Sequence, residues 1–263
     1  MTRRNAPQTP RWLATLAIAA TCLFVLPFVA LLAEAPWPRL ATLLTSEVVV
    51  EALLLSILVS VIASVLAAVF GVPIAWVLAR SELRGRRALR ALVTLPMVLP
   101  PVVAGAALLF AFGRRGLIGG PLYDLTGFLL PFSTFGAVVA ATFVAMPFLI
   151  ITVEGALVAL DGRDEAAAET LGAGPGTVFW RITIPSIAPA LRSGVLLAWA
   201  RALGEFGATI TFAGNLGGRT QTLPLAVFVE LQSDRDAAIA ISLVLVAISL
   251  MVLASMRDRW WRT

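Results

Sequence analysis

Apolar positions dominate the chain, and polar intervals divide them into blocks. Runs at 12–33, 52–79, 91–113, 131–153 and 237–256 carry no charged residue, and another at 188–213 carries only Arg192, Arg201 and Glu205. A helix needs about 20 predominantly apolar residues to cross the hydrocarbon core of a bilayer, and every run meets that length. The pattern predicts an all-α membrane protein of six transmembrane helices, forming one domain over residues 1–263. A secretory signal is the rival reading of the first run, because Ala33-Glu34-Ala35 imitates a cleavage site. The run is longer than the apolar region of a signal, however, and Pro36 would follow the cut, so it reads as a span.

Two of the spans carry features that plain lipid-facing helices lack. The run 91–113 contains Pro96, Pro100 and Pro101. Each proline removes a backbone donor and kinks a helix, which a membrane tolerates where neighbouring helices or water satisfy the freed carbonyls. That span is expected inside the bundle. In the fifth span, Arg201 and Glu205 are the only opposite charges deep in any run. At i and i+4 on a helix they share a face and can pair, so they are expected to look into the bundle, beside Gly204 and Gly207, which permit close helix approach.

The interval 154–187 is the longest polar interruption. It predicts two short helices. The first is capped by Asp161 or Asp164, runs through the helix formers of 165–171 with acidic residues in its first turn, and ends at Gly172. The second starts with Pro175 at its first position, continues over 177–182, and stops at Pro185. A helix that short is unstable alone in water and has to dock, and Val178, Phe179 and Trp180 offer apolar surface for it.

Composition narrows the possibilities. A mean hydropathy of +0.94, with 59% hydrophobic and 13% charged residues, exceeds what one soluble core of this size can bury. All 20 basic residues are arginine. Without lysine there is no Walker A phosphate loop, so the chain is not its own ATPase of that type. With no histidine and one cysteine, Cys22, the usual zinc sites and an internal disulfide are excluded, and Cys22 reads as a small buried residue. No cofactor is expected, and the basic pI reflects arginines at membrane borders rather than a nucleic-acid surface.

The arginines also orient the helices. Arg3, Arg4, Arg11, Arg80, Arg84, Arg86, Arg87, Arg90, Arg163, Arg181, Arg192, Arg257, Arg259 and Arg262 fall on one side of the predicted topology; Arg39, Arg114, Arg115, Arg219 and Arg235 fall on the other. The positive-inside asymmetry puts both termini and the 154–187 loop in the cytoplasm, with 114–130 an outer loop and Trp260 and Trp261 at the interface.

The residues of this loop resemble the cytoplasmic signature of the membrane subunits of binding-protein-dependent ABC importers: Glu-Ala-Ala, three residues, Gly, nine residues, Ile-x-Leu-Pro. Gly172, nine residues, then Ile182-Thr183-Ile184-Pro185 keep that spacing, with Ile184 in place of leucine. Glu165 stands one residue early, and Ala166 occupies the glutamate position. Leu95-Pro-Met-Val-Leu-Pro-Pro-Val-Val103, Gly204-Glu-Phe-Gly-Ala-Thr209 and Gly218-Arg-Thr-Gln-Thr-Leu-Pro-Leu-Ala226 are similar to segments of the molybdate permeases within that group, and sulfate and thiosulfate permeases share a looser version.

The resemblance implies a type I importer permease fold in a bacterial inner membrane. It further implies a second permease copy, a cytoplasmic ABC ATPase dimer, and a periplasmic or lipoprotein molybdate-binding protein. Glu165, Gly172, Pro175, Phe179, Trp180, Arg181 and Pro185 would couple to the ATPase, with Phe179 and Trp180 as anchors. Arg201, Glu205, Thr209, Thr211, Asn215 and Thr220 would lie on the pathway or its gate. Moving even one carboxylate-sized ion into a medium of low dielectric costs on the order of 20 kcal/mol before relaxation. An oxyanion therefore needs a wet, donor-lined route, to which backbone amides near Gly217 and Gly218 would contribute. Tungstate, sulfate and thiosulfate are alternative substrates. An ion-gradient-driven secondary transporter is the alternative from another class; it calls for intramembrane carboxylates or histidines, for which Glu205 is the one deep candidate.

Overall fold

A computed structural model describes residues 10–256, and every regular element among them is helical. Arg3, Arg4, Arg257, Arg259, Arg262, Trp260 and Trp261, on which part of the topology reading rests, lie outside the described residues.

Among the described residues, five helices are long and apolar enough to cross a membrane: α1 Arg11–Ala33, α2 Glu47–Arg80, α6 Thr134–Ala159, α8 Pro175–Leu203 and α11 Arg235–Met256. The centre of the bundle is α2 against α6 and α8. Small residues make that packing possible. Ala63, Ala67, Gly71 and Ala75 recur every fourth position on α2, and Ala137, Ala141 and Ala145 do the same on α6; all are buried. In lipid, helices gain little from burying apolar surface against one another, so close backbone approach and van der Waals fit decide association. At Gly71 an added Cβ would stand 3.0 Å from Leu149 and 3.2 Å from Ile150.

α1 is the opposite case, with no buried residue along its 23 positions. Cys22, expected to be buried, is exposed on it, because among the described residues α1 packs lightly, mainly against α11. Two ion pairs fasten that region at one end, Glu34 with Arg235 at 3.0 Å and Arg39 with Asp236 at 3.1 Å.

The expected third span, 91–113, is not one kinked helix. It divides into α3, Arg86–Val98, and α4, Pro101–Phe112, each too short to cross alone. Leu99 and Pro100 between them are extended, with ψ of 138° and 131°. Two consecutive prolines remove two donors, and each pushes the residue before it out of the helical region. Pro96, by contrast, stays inside α3.

The fifth run also differs from expectation. α8 begins at Pro175 rather than 188 and passes through Pro185 without stopping. Phe179–Thr183 winds as a π-helix, and Pro185 falls in the first turn of Ile184–Leu203. The wider π turn relieves the clash between a proline ring and the carbonyl four residues back. The helix then breaks at Gly204 and restarts as α9, Gly207–Phe212. α6 extends to Ala159, so Glu154, expected to open the loop, is a buried helical residue paired with Arg90. Within 114–130 lies α5, Gly119–Thr126, closed by Gly127 at φ +69°. α10, Leu223–Ser233, packs on α11.

Candidate functional site

The signature loop is built around α7, Arg163–Thr170. Gly162, not Asp161 or Asp164, occupies the cap position; Asp161 instead meets Arg163 Nε at 3.1 Å, and Asp164 and Glu165 fill the first turn. Gly172 closes the helix as expected, at φ +86°. Its N–H donates to Glu169 O at 2.9 Å and that of Ala173 to Ala168 O at 3.0 Å, the paired bonds of a Schellman motif. A Cβ-bearing residue would be strained at Gly172.

Glu165, displaced by one position from the signature, has a definite role in the fold. Its Oε2 lies 3.0 Å from Arg80 Nη2 at the end of α2, and its Oε1 accepts a hydrogen bond from the Thr183 hydroxyl at 2.5 Å. One carboxylate thus ties α7 to α2 and to the π turn of α8. Phe179 is half-buried and meets Trp76 of α2 edge-on, with ring centroids 5.3 Å apart, and Trp180 stacks edge-on against Phe179 at 5.0 Å. Phe179 therefore packs inward on its own chain. Trp180 and Leu171 point outward, at 69% and 88% exposure, while Pro175, Arg181 and Pro185 are exposed on the same stretch.

The second region is the break between α8 and α9. Arg201 stands in the last turn of α8, and Glu205 sits beyond its end in non-helical backbone, so the pair bridges a break rather than lying on a helix face. Arg201 Nη1 is 2.6 Å from Glu205 Oε2, and Glu205 Oε1 accepts the backbone N–H of Ala208 at 2.8 Å. The carboxylate is buried, at 2% exposure. It faces the guanidinium and satisfies a donor at the start of α9, so neither charge of the pair stands alone.

The two interrupted helices meet. A Cβ on Gly207 would fall 2.5 Å from Pro101 Cβ, and one on Gly105 would fall 2.7 Å from Ala208 O. The first residues of α4 and α9 are therefore in direct contact. Gly204 makes no such approach, its nearest neighbour being Ala200 O of its own helix at 3.7 Å.

The other candidates divide. Thr209 is buried; the Thr211 hydroxyl donates to Gly207 O at 2.8 Å within its own helix; the Thr220 hydroxyl accepts the Leu216 N–H at 2.8 Å and shapes a turn. Among the described residues, Asn215 Oδ1 is buried without a hydrogen-bond partner, and so is Thr222 Oγ1, which the sequence reading did not single out. A Cβ on Gly218 would stand 3.2 Å from a carboxylate oxygen of Glu51. That neighbouring negative charge makes the Gly217–Gly218 amides poor hosts for an oxyanion. Ser56 was also missed. Its hydroxyl accepts the Leu223 N–H at 2.7 Å and joins α2 to the start of α10, yet it looks like any serine in an apolar run.

Bundle, signature loop and paired helix breaks place the protein in a class. The fold matches a chain of a bacterial alginate ABC transporter, in complex with an alginate pentasaccharide-bound periplasmic protein, with a TM-score of 0.70 over 95% of this chain and 94% of that one, at 17% identity. It is a multi-span membrane permease of the ABC-transporter type. The chain belongs to the family of binding-protein-dependent transport system inner membrane components, whose pattern it matches over residues 71–263. It is 48% identical over 250 residues to the molybdenum transport system permease protein ModB of Mycobacterium tuberculosis, covering 95% of this chain and 94% of that protein. To the sulfate transport system permease protein CysT of Escherichia coli it is 38% identical over 252 residues, covering 92% and 90%.

Proposed function

We propose that this chain is the permease subunit of an ATP-driven molybdate importer, in which it forms the translocation pathway and a separate ABC ATPase hydrolyses the nucleotide. The observation that carries the reading is the 48% identity to a molybdenum permease across nearly the whole length, against 38% to a sulfate permease. As one permease domain it crosses the inner membrane six times, α3 and α4 together making the third crossing. The arginine asymmetry puts both termini and α7 in the cytoplasm. A second copy completes the pathway, and a periplasmic or lipoprotein binding protein delivers the oxyanion.

The ATPase dimer receives α7 with the outward Leu171 and Trp180. Glu165 transmits rather than touches: through Arg80 and Thr183 it makes α7, α2 and α8 move as a unit. Closure of the ATPase pair draws the two loops together and shifts the permease between inward-open and outward-open states, a switch driven by contacts that differ between them. At the far end of α8, the Arg201–Glu205 bridge and the α4–α9 contact hold the gate, with Thr209, Asn215 and Thr222 offering polar atoms beside it. Tungstate has the same shape and charge chemistry and shares the route.

The test is uptake of radiolabelled molybdate into vesicles containing the permease, its ATPase and its binding protein. Uptake that requires ATP and is blocked by excess tungstate but not by sulfate is the expected result. Uptake blocked by sulfate reassigns the substrate, and uptake that follows a proton or sodium gradient without the ATPase overturns the proposal.

A further inference from the structure

The densest basic cluster of the chain does not take part in the loop or gate described above. It lies between α2 and the first turns of α3 and forms an open, polar cavity of about 580 Å³, lined by Arg84, Arg86, Arg87 and Arg90 together with Ser81 and Glu82. Two of the arginines are engaged: Arg90 is paired with the buried Glu154, and Arg86 donates to Ser81 O at 3.3 Å. Arg84 and Arg87 are exposed, and among the described residues neither guanidinium has an ion pair or hydrogen bond. Glu82 is the one carboxylate on the cavity wall.

From this end α3 carries an apolar stripe into the membrane. Leu92, Leu95 and Val98, spaced at i, i+3 and i+6, are 66%, 47% and 83% exposed, and Leu83 beside the arginines is 57% exposed. The 13 residues of α3 rise about 20 Å, a little more than the depth of one leaflet's hydrocarbon. A cationic cavity at one end of an exposed apolar stripe of leaflet length matches the two halves of an anionic phospholipid. A free anion would use only the first half.

We propose that the cavity binds the phosphate headgroup of an anionic phospholipid from the adjacent leaflet, with Arg84 and Arg87 as the contacting groups and the Leu92–Leu95–Val98 stripe along its acyl chains. The binding holds whichever oxyanion the permease carries. Phosphate accepts several guanidinium hydrogen bonds at once, and two unpaired arginines supply them. Each basic residue near an anionic surface is worth roughly fivefold in affinity, so loss of two costs about 25-fold.

The experiment uses the permease purified with its ATPase and reconstituted into nanodiscs of phosphatidylethanolamine containing phosphatidylglycerol as a minority lipid. After mild detergent stripping, mass spectrometry reads the lipid that stays bound. Phosphatidylglycerol is expected to be retained preferentially, to fall about 25-fold in R84Q/R87Q, and to persist in excess inorganic phosphate. E82Q removes the opposing carboxylate while leaving every arginine in place, and it should increase retention; this second variant keeps the test decisive if R84Q/R87Q fails to assemble. Equal retention of the two lipids, no change in either variant, or a second permease copy covering the stripe so that no lipid is held would each overturn the proposal. Displacement by inorganic phosphate would also overturn it, making the cavity a free-anion site.

Discussion

Replacing Glu205 with glutamine separates the two tasks of its carboxylate. The amide oxygen of glutamine can still accept the Ala208 N–H, now 2.8 Å from Oε1, so the start of α9 stays satisfied. What is lost is the negative charge 2.6 Å from Arg201. Removing one partner from a fully buried ion pair costs about 3–5 kcal/mol, because the remaining charge is left desolvated. The side chain of Arg201 is 28% exposed and so keeps part of its hydration. That lowers the expectation to about 2–3 kcal/mol for E205Q. R201Q should cost more, about 3–5 kcal/mol, since it strands the more deeply buried carboxylate. The double variant R201Q/E205Q carries no charge at the break and should lose about 2 kcal/mol less than the sum of the single losses. The assay is unfolding in detergent micelles titrated with sodium dodecyl sulfate, followed by tryptophan fluorescence on all four members of the cycle. Additive losses, within about 0.5 kcal/mol, would mean that the contact contributes no coupling and that the two residues are held by packing alone.

Other changes probe the α4–α9 contact and the loop. Gly207→Leu forces side-chain atoms into Pro101, whose backbone cannot retreat; a destabilisation of about 1–3 kcal/mol and loss of uptake are expected in the same unfolding assay and in vesicles, and parent-like behaviour would contradict the close approach. Glu165→Ala releases α7 from Arg80 and Thr183 together, and ATP hydrolysis by the assembled complex should continue while uptake falls several-fold; Thr183→Val, which leaves the ion pair, should have the smaller effect.

Length and lack of charge marked the long apolar helices, yet the run 91–113 met the same test and divides into two helices too short to cross alone. Local rules read correctly where one residue decides, as at Gly172, whose positive φ closes α7. They failed where tertiary geometry intervened. Pro185 carries the same helix-stopping signal as Pro100 and Pro101, yet a π turn ahead of it absorbs the strain, whereas the doubled prolines break the chain outright. Aromatic character at Phe179 predicted an apolar surface but not which partner it meets; Trp76, about a hundred positions away in sequence, claims it. Glu165 looked displaced when judged by motif spacing, and its link to Arg80 is a distant pairing that no local pattern encodes. Ser56 gave no sequence signal, and Thr222 stood within the similar segment Gly218–Ala226 without being singled out.

The unbroken helix Pro175–Leu203 has a mechanical consequence. Its 29 residues make a rod of about 43 Å whose one tip lies at the signature loop and whose other tip carries Arg201. Pivoted near one tip, such a rod magnifies angle into displacement: a tilt of roughly 10° sweeps the opposite tip through about 7 Å, more than the diameter of a tetrahedral oxyanion. The π turn, close to the loop end, is where the rod bends most easily, so it is the natural fulcrum. In the proposed mechanism, stiffening that turn would shorten the stroke delivered to the gate without altering a single residue there.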